Sequence, residues 1–363
     1  MTKKLFALIL ALAMVFSLAA CGAPAAAPAT EAPAAAPADD APAADAAAPA
    51  GDIGEHSFNF SVAQGEATTY YKTAEKFAEM MKEASGGKIN ITIYGNCSLS
   101  GGDQTTALQM IQNGSIDMGM VTAAVCGNMI EDLRVTVIPW AFSGNDHVDA
   151  ALSEGSELYD LYAKEFAEKD ITLLGIAEHG FREIMTSKLN VRTPADLKGL
   201  KLRVLSTPVL NDFFKSMGVN TADIGPTEIY TSLQNGTIDG QENPLVYSYF
   251  SGFTSVAPYI SIWGYAYDAH PFMMSTAKWN SLTADEQALF TQVTKEWIPV
   301  QRAMMRDAYQ EAYDLAVGEG ATIVELTDDE IAVFKEAAAA TSASYIEQLQ
   351  TAYDLLQAVD PKA

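Results

Sequence analysis

The sequence predicts an α/β protein of two lobes, each a mixed sheet flanked by helices, with one long helix spanning both. Three observations carry this reading. Short alternating segments are repeatedly followed by helical segments that stop on glycine: Leu200 to Val204 alternates as a strand, Pro208 to Met217 reads as a helix, and Gly218 ends it. The hexapeptide Gln112-Asn113-Gly114-Ser115-Ile116-Asp117 returns as Gln234-Asn235-Gly236-Thr237-Ile238-Asp239, each copy closing an amphipathic helix and opening a strand. That echo implies two lobes of related design, each with its own sheet. Finally, a capping box at Thr283-Ala284-Asp285-Glu286 opens a helical pattern that runs to about Gly318. At ~1.5 Å rise per residue such a helix is long enough to cross both lobes, and Pro299 should kink it.

The N-terminus reads as a secretory signal. Lys3 and Lys4 precede an apolar run from Leu5 to Phe16, which is short for a membrane span. Leu18-Ala19-Ala20-Cys21 is a lipobox, so residues 1–21 are expected to be a lipoprotein signal peptide with Cys21 the lipidated residue. Residues 22–55 are mostly Ala, Pro and Asp, hold six of the 15 prolines and have almost nothing to bury. They are expected to be a disordered tether. The remaining chain, about 300 residues, suffices for two lobes.

Lysine and arginine total 22 against 46 aspartate and glutamate, a net charge of −24. With no basic cluster, nucleic acid is excluded as a partner. An acidic protein repels small anions at long range, so an acidic ligand would need a few local arginines in a cleft. Cys97 and Cys126 favour buried free thiols over a disulfide, although spacing alone does not give their separation. His56, His147, His179 and His270 are scattered without metal-ligand spacing, and no metal or cofactor is expected. No nucleophile elbow, phosphate-binding loop or dinucleotide fingerprint is present, so nothing positive supports an enzyme.

Along the globular part, Ser57 to Val62 alternates as a first strand and leads through a polar turn, Ala63 to Tyr70, into a helix ending at Ala84. Gly86-Gly87 stops it, Lys88 to Tyr94 is the next strand, and Gly95 to Gly102 is a loop. Met118 to Thr122 follows the first hexapeptide as a strand. Ile130 to Phe142 reads as packed core, Ser156 to Lys169 as a helix and Ile171 to Ala177 as a strand. Thr193-Pro194 starts a helix, with a capping Thr and Pro in the first position. Tyr247 and Tyr249 sit in an aromatic stretch that reads as core or as a ligand-stacking face. Ile262 to Tyr267 returns as a strand, and Thr327-Asp328-Asp329-Glu330 caps the last helix.

The stretch from Gly199 to Pro244 points to a site. Its first strand ends near Arg203, and Thr237 to Pro244 re-enters a strand that leaves on Asn243. Ligands of open α/β sheets bind at the carboxyl ends of strands, and a guanidinium beside an amide is a fork for a carboxylate. By the hexapeptide echo, Thr122 would face the same cleft from the opposite wall.

The segments LKGLKLRV and EIYTSLQNGTIDGQENPL, in that order and spacing, resemble the solute-binding subunits of tripartite ATP-independent periplasmic (TRAP) transporters, of the C4-dicarboxylate-binding type. The likeness runs from about His56 to at least Trp279. It implies a periplasmic-binding-protein-like fold, with residues 56–179 plus 269–308 as lobe one and 180–268 plus 309–363 as lobe two. The long helix would brace the hinge. It implies a small carboxylate-containing solute held by Arg203 and Asn243. Arg182 would be a second arginine at the crossover; on the residues alone it either faces the cleft or pairs with Glu178 or Glu183. Lobe one would contribute from Glu66, Tyr70, Asn96 and Thr122. The family often has a histidine near Tyr265, so tyrosine here is a departure expected to alter solute preference, and Pro226 stands where many relatives have an aromatic or small polar residue. The implied protein is a monomeric, extracytoplasmic lipoprotein, anchored by lipid to the cell membrane, that serves TRAP permease subunits; a sensor presenting its closed form to a membrane receptor is the alternative. Four-carbon dicarboxylates, sugar acids and keto acids all fit one fixed carboxylate site.

Overall fold

The structure, a computed structural model, describes residues 51–362. The signal segment, Cys21 and nearly all of the tether lie outside the described residues. Nine strands, β1 (His56–Val62), β2 (Ile89–Tyr94), β3 (Met118–Met120), β4 (Ile171–Thr186), β5 (Lys201–Arg203), β6 (Asn220–Ala222), β7 (Gly240–Pro244), β8 (Tyr259–Ser275) and β9 (Thr322–Glu325), form one sheet. Its order is β2-β1-β3-β8-β4-β7-β5-β6, with β9 beside the first residues of β8.

The sheets of the two lobes are thus continuous, because two strands belong to both. The segments expected at Ile171 to Ala177 and Ile262 to Tyr267 are the ends and middles of strands 16 and 17 residues long. Their length was hidden because the pleat is interrupted. Register shifts fall at Leu173/Gly175, Glu178/Gly180 and Arg182/Ile184, and each bulge breaks the period-two pattern. Gly180 (φ +117°) and Gly264 (φ +53°) supply backbone conformations that other residues rarely adopt. At the middle bulge, a helix side chain replaces a missing ladder partner: the Gln301 amide donates to the Glu178 carbonyl at 2.7 Å, and its oxygen accepts from the Glu178 N–H at 2.8 Å.

Helices cover both faces. On one face, Gln104–Gln112, Glu157–Ala167, Pro208–Ser216 and the C-terminal helices bury Leu108, Phe166, Phe213 and Leu356. On the other, Thr69–Ala84, Ile229–Gln234, Leu245–Phe250 and the long helix Ala284–Gly318 bury Phe77, Leu233, Leu245 and Trp297. The long helix runs 35 residues and continues through Pro299. It starts on the expected capping box, Thr283 with Glu286, and touches both Thr69–Ala84 and Leu245–Phe250. Trp297 pins it by donating to the Thr73 carbonyl at 2.8 Å. The last helix expected from Thr327 onward is three helices, Asp328–Ala337, Ala339–Gln348 and Gln350–Gln357.

The two hexapeptides act alike. Gly114 (φ +78°) and Gly236 (φ +70°) end their helices in left-handed turns. Each closing aspartate then ties its strand to a parallel neighbour: Asp117 accepts from the Asn59 N–H at 2.9 Å, Asp239 from the Lys201 N–H at 2.9 Å. Cys97 and Cys126 are buried free thiols.

Candidate functional site

β1 and β3 run in the direction of β4, while β5 and β7 run in that of β8. The carboxyl ends of the short parallel strands from the two lobes therefore point at each other, and the middles of β4 and β8 pass between them. A cavity lies there. Ala63, Gln64, Gln104 and Thr122 line it from one side, Arg203, Leu205, Pro226, Ile229, Asn243 and Tyr247 from the other, and His179, Arg182, Asp268 and His270 from the crossing strands. Its free space is about 20 Å³, room for about one water.

Arg182 is fully buried and its fork is spent. Its Nε donates to Glu242 Oε2 at 2.5 Å, and one terminal nitrogen donates to Glu242 Oε1 (3.0 Å), the Glu242 carbonyl (2.6 Å) and Asn243 Oδ1 (3.0 Å). The other donates to Asp268. Burial alone would discourage the charge; the Glu242 and Asp268 carboxylates more than restore it and hold the guanidinium ionised. Glu242 is saturated in turn, accepting from the Leu205 N–H at 2.9 Å and the Tyr265 hydroxyl at 2.7 Å. Neither pairing considered from sequence occurs: Arg182 is bound to Glu242 and Asp268, not to Glu178 or Glu183.

Arg203 is the opposite case. It is buried, yet its one recorded hydrogen bond runs from Nε to the Ile224 carbonyl at 2.9 Å. Among the described residues no carboxylate lies within 4.0 Å of it, so both terminal nitrogens are free to donate. Burial lowers its pKa from the ordinary arginine value, with Glu242 opposing and Arg182 reinforcing the shift; an arginine remains protonated regardless.

The third part is a chain of polar groups. Burial would raise Asp268, but Arg182 foremost holds it well below the usual carboxylate range. Asp268 accepts from the Thr122 hydroxyl and, at 2.9 Å, from His179 Nδ1. His270 Nδ1 pairs with the Tyr70 hydroxyl; His270 Nε2, 3.6 Å from Asp268 Oδ1, and Gln64 Oε1 are buried without a hydrogen-bond partner among the described residues. The histidines that looked scattered in sequence thus include two, His179 and His270, gathered with Asp268, their ligand-type atoms within 4.8 Å of one another. A cation there would share Asp268 with the Arg182 guanidinium, which already neutralises it.

Arg203, Asn243, Arg182 and Thr122 therefore border one cavity. Tyr70 and Tyr265 lie behind its wall, supporting His270 and Glu242 respectively, and Tyr265 stacks on Phe213 at 5.3 Å. Glu66 and Asn96 are exposed and do not line it. Sequence reading missed Gln104, His179, Asp268 and His270 as lining groups, and Glu242 as the counter-ion. One signal was available: Asp268 and His270 stand two apart in the apolar run Tyr265 to Met274, the spacing that puts two side chains on one strand face. The pairing that brings β4 to β8 had none.

Residues 60–348 match the family described as bacterial extracellular solute-binding protein, family 7. The chain is 30% identical over 243 residues to the C4-dicarboxylate-binding protein of Bacillus subtilis, covering 66% of this chain and 67% of that one. Two solved structures are similar throughout. One is a TRAP periplasmic solute-binding protein from Ralstonia eutropha with bound (S)-2-acetolactate (TM-score 0.79, 26% identity, 84% of this chain and 97% of that one). The other is the sugar-acid-binding protein of Advenella mimigardefordensis with galactonate (TM-score 0.80, 25% identity, 85% and 100%).

Proposed function

The chain belongs to family 7 of the bacterial extracellular solute-binding proteins, the solute-binding subunits of TRAP transporters, and from that premise we propose that it captures a small organic acid between its lobes and delivers it to a membrane permease. Its family is a transport component and not an enzyme. The observation that carries the reading is Arg203: a buried guanidinium with a free fork, in a cavity between the carboxyl ends of both lobes' strands. A carboxylate fills that fork with two parallel bonds.

The cavity has room for about one water, so in this reading solute enters an opened form and closes it. The bulges flanking Arg182, with Gly180 and Gly264, are the natural places for β4 and β8 to bend. Closed and open forms offer different surfaces to the permease, which can thereby engage the loaded protein. Small-angle scattering on titration with a panel of carboxylates should show compaction with the acid that raises the melting temperature. An unchanged profile at saturation would argue for a rigid binder.

The described residues include no helix long and apolar enough to cross a membrane. In this proposal Cys21 carries the lipid that keeps the protein at the membrane surface, and one acyl chain alone anchors only marginally. Cys21→Ala should release the protein into the soluble fraction or leave it unprocessed. Normal processing and retention of that variant would remove the anchor.

A further inference from the structure

We propose that the cavity selects singly charged carboxylates that carry hydroxyl groups and turns dicarboxylates away, a refinement that rests on the solute-binding reading above. Two independent features of the cavity wall support it, its charge and its hydrogen-bonding atoms.

Two cations, Arg182 and Arg203, and two anions, Glu242 and Asp268, are buried together. Arg182 is bound by both anions, and those anions take further donors from Leu205, Tyr265, Thr122 and His179. Among the described residues, the only fork left in this cavity for an incoming carboxylate is that of Arg203. A second carboxylate on the same solute would meet no free cation there, and would approach Asp268 instead. Burying a charge without its own partner is costly.

The hydrogen bonds define the other end. Asp268 is ionised and can only accept, so the proton on His179 sits on Nδ1, which donates to it at 2.9 Å. Burial pushes His179 down to about 4, so at neutral pH its other nitrogen carries a lone pair. That lone pair takes the Gln64 amide N–H at 3.4 Å, which fixes the orientation of the Gln64 side chain. Gln64 Oε1 is left as a buried acceptor without a donor. His270 Nε2 also makes no hydrogen bond among the described residues, but it lies 3.6 Å from Asp268 Oδ1, itself an acceptor, so the free acceptor of this wall is Gln64 Oε1. A buried acceptor costs free energy until something donates to it. A hydroxyl donates; a carboxylate oxygen does not. Gln64 follows β1 in one lobe and Arg203 ends β5 in the other, so a solute that bridges them is charged at one end and hydroxylated at the other.

The test is calorimetry on the full chain with matched acids: gluconate and galactonate, their dicarboxylate counterparts glucarate and galactarate, glycerate against malate and succinate, and hexanoate, which lacks hydroxyls. The expected result is that a hydroxylated monocarboxylate binds at least about a hundredfold more tightly than its dicarboxylate counterpart, with hexanoate also weak. Gln64→Leu should lower affinity for the hydroxylated acid about tenfold or more and shrink its advantage over hexanoate, with melting in the absence of ligand reporting whether the variant is folded. Dicarboxylates binding as tightly as their monocarboxylate partners would overturn this inference and leave the solute-binding reading standing. An undiminished advantage over hexanoate in folded Gln64→Leu would overturn the acceptor assignment. No binding and no melting shift with any acid would remove the solute-binding reading itself, and this one with it.

Discussion

Arg203→Ala should weaken solute binding by two orders of magnitude or more while leaving the melting temperature of the unliganded protein nearly unchanged. The two halves of that expectation have separate causes. Among the described residues the side chain makes one hydrogen bond, from Nε to the Ile224 carbonyl, and no ion pair. Removing a buried cation that nothing in the fold compensates costs the fold little. A bound carboxylate, in contrast, depends on it, because the protein as a whole carries −24 and repels anions. Losing one partner of a buried charge pair costs about 3–5 kcal/mol, and each 1.4 kcal/mol is about tenfold in affinity. Arg203→Lys keeps the charge but loses the planar fork and should fall between the two. Calorimetry returning near-native affinity for folded Arg203→Ala would take this residue out of the site.

Arg182→Ala should do the reverse and lower the melting temperature by on the order of 10 °C without ligand. Here the guanidinium is, among the described residues, the only cation bonded to both Glu242 and Asp268, and all three side chains are buried. Its removal strands two carboxylates, a loss of about 3–5 kcal/mol, and about 1 kcal/mol moves the midpoint of a 150–250-residue protein by roughly 2–4 °C and that of a longer one by about 2 °C. Adding Glu242→Gln to Arg182→Ala should recover part of the loss, since one stranded charge is then gone. Scanning calorimetry of the single and double variants checks this, and a single variant melting within a degree or two of the parent would mean that the cluster is not what holds the crossover together. Both arginines border one cavity, yet one is expected to act on affinity and the other on folding.

Much of this was legible in the chain. Strand and helix starts such as Ile89, Pro208 and Ala284 follow from alternation, proline placement and capping boxes, because those signals are local. Arg203 and Asn243 could be found because each sits at the end of a short strand in a segment with strong turn signals. The long strands β4 and β8 were only half visible, since a bulge breaks the alternation that announces a strand. The role of Arg182 was not legible at all. Its partners lie 60 and 86 residues away, and a charge pair formed by strand pairing leaves no mark in local pattern. The same holds for His179, which reaches Asp268 across 89 residues.

The sharing of β4 and β8 between the lobes also governs how the molecule can come apart. Each strand contributes residues to both ends of the sheet, and each of the two apolar cores runs along a face from one lobe to the other. Neither lobe owns a complete set of strands or a sealed interior, so neither is a separate folding unit. In the proposed closure the lobes would be distinct in motion but single in cooperativity: the hinge would let them turn against one another, while the same two strands oblige them to unfold together.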